Sequence, residues 1–175
     1  MSDILERVMS EQDPIKKILA KIPGFKGYIE RGDRRMSDKL LREQVAGEFE
    51  ALYDRVSGLQ RDLVNAGEIN YLDDLEAAAI KLRQFIDRVR TASYGYAGLF
   101  DAIKIKNEEL DQVYQYDYAL LALADEVRSA VDNVETSIGT EGLDAAIRHL
   151  VSVSQQAVEA FNKRSEVMKG IAPEA

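Results

Sequence analysis

The chain has 175 residues, 46% of them apolar and 31% charged, with a formal net charge of −8 and no cysteine. Its length and apolar content suffice for one domain with its own core, outside the compositional range of disordered chains. The lack of cysteine excludes disulfides, thiol catalysis and zinc sites built on thiolates.

Residues 1–13 are polar and mixed. This start lacks the basic stretch and apolar run of a secretory signal, and nowhere does the chain reach the roughly 18 uninterrupted apolar residues of a membrane span; both predict a soluble cytoplasmic protein. From Pro14, the pattern places Ile15, Ile18, Leu19 and Ile22 on one helical face and Lys16, Lys17 and Lys21 towards the other. Pro23-Gly24 should end that piece, because proline lacks an amide donor and disfavours a helical residue before it. Charge is unevenly spread: residues 14–42 carry nine Lys/Arg against three Asp/Glu, whereas residues 43–175 carry 13 against 24. An acidic body repels phosphates, so any anionic partner would be met by the N-terminal segment alone.

The first long helix begins between Phe25 and Ser37, with the stripe Leu41, Val45, Phe49, Leu52, Val56, Leu59 and Leu63. Steps of three and four residues track the helical period and keep one face against a partner. Gly67 should stop it where a left-handed residue is needed, and Asn70 with Asp73 should cap the second helix. That helix carries Leu72, Leu75, Ala79, Leu82, Ile86 and Val89, then fades into Tyr94-Gly95-Tyr96-Ala97-Gly98. Residues 99–106 complete the longest connection. Asn107, followed by Glu108 and Glu109, is the start signal of a third helix that reaches Ile138 through Leu110, Val113, Asp117, Leu120, Ala124, Val127, Val131 and Val134. Gly139 serves as stop and Thr140 as the next cap. A fourth helix then carries Leu143, Ile147, Leu150, Ser154, Ala157 and Phe161. These patterns predict an all-α, up-down-up-down antiparallel four-helix bundle over residues 36–175, with a short N-terminal helical extension over residues 1–35.

Chemistry-bearing motifs are few. Asp117 is the one charged residue near the middle of a seam, flanked by Tyr114, Tyr116 and Tyr118, and Arg88 falls at a similar height as its expected partner. Asp117, Arg88 and Tyr114 are therefore the candidate polar site of the core, either functional, or a device that fixes helix register, or a carboxylate that reaches solvent past the tyrosine rings. A di-iron bundle would need Glu-x-x-His pairs, but Ala146 stands three residues before His149, the sole histidine. No metal or cofactor site is expected on that ground, and a single histidine supplies no triad. Lys16, Lys17, Lys21, Lys26, Arg34 and Arg35 interleave with apolar residues and are the candidate contacts to an anionic surface. The plainer use of the same segment is to cover the open end of the bundle with its apolar face, its lysines compensating the acidic body. Nucleic acid is not an expected partner, since no recognition fold accompanies the charge. The pattern points to a non-enzymatic interaction or scaffold protein that binds a protein partner or a second copy of itself. Two other classes stay open: a peripheral membrane module acting through the basic segment, and a carboxylate-rich metal protein or enzyme centred on Asp117.

Overall fold

The computed structural model of the chain describes residues 19–30, 34–92 and 107–171, without the side chains of residues 28–30, 34–38, 107–115, 117 and 167–171. Within these residues the protein is all-helical, and no helix is long and apolar enough to cross a membrane. A short helix α1 (Phe25–Glu30) precedes four long ones: α2 (Arg34–Ala66), α3 (Leu72–Thr91), α4 (Asn107–Ser137) and α5 (Leu143–Ile171). At 1.5 Å per residue, α2 is about 50 Å long.

The helix ends follow from local chemistry. At the end of α2, Gly67 takes φ +78°, its N–H donates to Val64 O at 3.1 Å and the Glu68 N–H donates to Leu63 O at 2.9 Å. This pair of backward bonds satisfies carbonyls that the helix would otherwise leave open. Pro23-Gly24 does interrupt the N-terminal piece, with Gly24 at φ +82°. Two expected caps are corrected. Asn70 lies inside a 3₁₀ turn (Ile69–Tyr71), and Tyr71 occupies the cap of α3 without a side-chain bond. There Asp73 and Asp74 in the first turn meet the positive end of the helix dipole. Thr140 instead closes the α4–α5 turn: its Oγ1 donates to Ser137 O at 2.7 Å and accepts from the Gly142 N–H at 3.2 Å. The carbonyl of Gly142 then receives the first helical bond of α5, from the Ala146 N–H.

All seven stripe residues of α2 are at most 3% exposed, and they join one core with Leu75, Leu82, Ile86 and Val89 of α3, Val127, Val131 and Val134 of α4, and Ile147, Leu150 and Phe161 of α5. Neighbouring helices form a ring in which α2 packs on α3 and α4, and α5 packs on α3 and α4. Gln60 bonds Glu76, Arg83 covers the Tyr53 ring and Arg90 bonds Glu50, so α2 and α3 run antiparallel. The pair α2/α4 is parallel: Glu48 meets Arg128, and seven residues further on Arg55 meets Asp132 and Glu135. The pair α3/α5 is parallel as well, with Phe85 against Phe161 and Arg88 against Asn162. Antiparallel neighbours throughout were expected, and this ring corrects that. Short links at 67–71 and 138–142 force antiparallel pairing, whereas residues 93–106 are numerous enough to span a diagonal from α3 to α4.

Candidate functional site

The described part of the basic N-terminal segment lies against the bundle. Ile22 is 3% exposed and Phe25 is fully buried, both within the common core, and α1 packs on α2. From the helical residues 19–21 that precede α1, Lys21 Nζ reaches Asp125 on α4 at 2.7 Å. Asp125 also accepts from Arg128 at 2.6 Å, and Arg128 continues to Glu48 on α2 at 3.7 Å. Gln44 donates to the other oxygen of Glu48 at 3.1 Å. The segment thus bridges α2 and α4, the thinnest of the four helix interfaces. Of the predicted surface cations, Lys21 is engaged in this way and Lys26 is exposed. Lys16 and Lys17, and the side chains of Arg34 and Arg35, lie outside the described residues.

Partial burial pushes Asp125 up, but hydrogen bonds from Lys21 and Arg128, and their charges, outweigh it and hold the carboxyl below its ordinary value of 3.8. Burial and the Asp125 charge together raise the nearby Tyr118 phenol. A depressed carboxyl stabilises the folded state fully above the unfolded value and loses that contribution as pH falls through the folded one. Thermal unfolding measured from pH 5 to pH 2 should therefore fall less steeply for Asp125→Asn than for the wild type. The difference should stay within about 1 kcal/mol, because the pair is solvent-screened. Parallel curves would show that Asp125 is unpaired in solution.

The predicted polar core site is only partly described. The side chains of Asp117 and Tyr114 lie outside the described residues. Arg88 is half-buried and donates to Asn162 Oδ1 at 2.5 Å across α3/α5. The polar groups found in the described core are Ser154 and Arg164. Ser154 donates back to Leu150 O at 2.8 Å, which satisfies a hydroxyl inside a helix. Arg164, 1% exposed, stands three residues beyond Phe161 and so continues the buried face of α5, although its charge is not a signal of burial. His149 is exposed on α5, and among the described residues no group of three or more His, Asp or Glu is placed to hold a metal ion.

A surface of another kind lies on the α2–α3 hairpin. Among the described residues the exposed large hydrophobics are Val64, Ile69 and Ile80, at 52%, 61% and 56% exposure, and all three belong to this hairpin. Gln60, Arg61, Val64, Leu72, Asp73 and Glu76 line a groove of about 460 Å³ between the helices, where Gln60 Nε2 donates to Glu76 at 2.8 Å. Ile80 continues the line of Asp73 and Glu76, since residues four and seven apart share a helix face. The seam pattern does not single out Val64, Ile69 and Ile80 because they fall off it, although off-seam Val and Ile are themselves a signal; Leu72, expected on the seam, is only half-buried at the groove. Comparison with protein families, curated proteins and solved structures finds no match to the chain.

Proposed function

We propose that this chain is a non-enzymatic interaction or scaffold module that holds a protein partner on the outer face of the α2–α3 hairpin. The observation that carries the proposal is the confinement of exposed Val64, Ile69 and Ile80 to one hairpin, beside a groove with half-buried Leu72. Lone exposed apolar residues are ordinary, but large ones gathered beside a groove and rimmed by charge mark interaction surfaces. The rest of the described surface is charged and laced with ion pairs, including Arg90 with Glu50, Arg55 with Asp132 and Arg148 with Asp144. Such pairs satisfy themselves and leave little for a partner to add.

A photo-crosslinking residue placed at Ile69 or at Ile80 in the full chain, in its native cells, tests this. The same protein is expected as a discrete adduct from both positions, lost when Val64→Ser is added, and absent from crosslinkers at exposed Arg148 and Lys163. An adduct with a second copy of the chain would identify self-association through the same face. Equal adducts from all positions, or none from the hairpin, would refute the proposal.

A further inference from the structure

We infer that the occupant of the α2–α3 face is a positively charged amphipathic helix of a protein partner. The inference rests on the reading of that face as a docking surface and adds the chemistry of what docks there. Shape is the first argument. Leu72, Glu76 and Ile80 follow four-residue steps along α3 over about 12 Å, with Val64 across the groove and Ile69 in the 3₁₀ turn before the helix. A groove between two antiparallel helices accepts a third helix laid along it, with anchors at helical spacing.

Charge selects which helix. Of the groove's lining residues, Asp73 and Glu76 are acidic and Arg61 is the single cation, and Glu68 adds a further carboxylate in the α2–α3 turn. Elsewhere among the described residues Glu48, Glu50, Asp125, Asp132, Glu135 and Asp144 each meet an arginine or lysine, whereas Asp54, Asp87, Glu141 and Glu166 do not. Among the described residues no cation pairs with Glu68 or Asp73, and Glu76 is engaged by the neutral Gln60. Carboxylates rimming an apolar groove favour lysine and arginine at the flanks of the incoming helix and oppose phosphate-bearing surfaces.

The probe is a fluorescent peptide of about five helical turns, with leucine on one face and lysine at the flanks, compared by anisotropy with a counterpart carrying glutamate for lysine. The full chain should bind the lysine peptide alone, and binding should weaken as salt shortens the screening length. Asp73→Lys with Glu76→Lys should weaken it about tenfold or more at low salt, and Asp73→Asn with Glu76→Gln should weaken it less. Glu141→Lys with Asp144→Lys makes the same change in net charge at the same end of the rod and should leave affinity within about twofold, as expected if steering by net charge is a minor part. Val64→Ser with Ile69→Ser should cost about tenfold although no charge changes. Circular dichroism confirms that each variant remains helical. Equal binding of both peptides, equal loss from the Glu141/Asp144 control, or indifference to the serine changes would overturn the inference. If the peptides fail while the adducts at Ile69 and Ile80 persist, the docking face stands and only the partner's chemistry is wrong. Absence of both removes the face itself.

Discussion

Phe85→Ala is expected to destabilise the protein by about 3–5 kcal/mol, through lost burial and the cavity left behind. Phe85 is fully buried on α3 and touches two other aromatic rings. Its centroid lies 4.1 Å from Phe49 of α2 in a tilted pair and 6.1 Å from Phe161 of α5 in an edge-to-face pair. One side chain therefore joins three helices, and alanine there removes both pairs, each worth about 0.5–1.5 kcal/mol beyond area. Phe161→Ala should cost less, because Phe161 is 5% exposed and the cavity opens towards the surface. Urea titration checks both, as a lower midpoint at unchanged slope. A loss below about 1 kcal/mol for Phe85→Ala would mean that the three helices do not converge there.

The apolar period by itself makes the four long helices legible, and the glycine at position 67 makes the end of α2 legible to the residue. The width of each buried face is less legible. On α3 the stripe contains Leu75, Ala79, Leu82, Ile86 and Val89, yet Ala78 and Phe85 are buried with them; on α4 the stripe omits Leu121, Leu123 and Ala130. A two-position seam describes a helix with one partner, whereas each helix of a ring meets two, so the apolar arc widens to three or four residues per two turns. Helix order around the ring is not legible either. Short connections constrain direction, but the stretch 93–106 lets the chain choose between an edge and a diagonal, and that choice is made by packing. The outer face of the α2–α3 hairpin is hidden in the sequence for a related reason. Val64 and Ile80 are turned outward by their seam neighbours Leu63 and Ala79, and only the fold shows that they flank one groove between two helices. Of the candidate polar residues in the core, Arg88 donates to Asn162 of the parallel neighbour α5, while the side chain of Asp117 lies outside the described residues.

Phe25→Ala, in the short helix that precedes the bundle, is expected to cost about 3–5 kcal/mol, as much as a substitution in the bundle itself. Phe25 is fully buried and Ile22 nearly so, in a segment whose composition equally suits an anionic surface. Ile22 and Phe25 are not free to enter a membrane, because they belong to the same core as Leu41 and Leu121. Lys21→Glu should cost far less, within about 1 kcal/mol, since the ion pair it reverses is partly exposed, at 30% for Lys21 and 53% for Asp125. The contrast between the two variants is diagnostic. A segment held by its apolar side chains tolerates loss of the ion pair, whereas one held by charge fails at Lys21 and ignores Phe25. Removal of residues 1–30 should lower the unfolding midpoint and raise binding of an apolar dye, because it uncovers the thin α2/α4 side of the ring. The full chain should leave vesicles of anionic lipid unbound at physiological salt. Salt-sensitive sedimentation with such vesicles, combined with undiminished stability of the shortened chain, would show that the segment docks on membranes and only rests against the bundle.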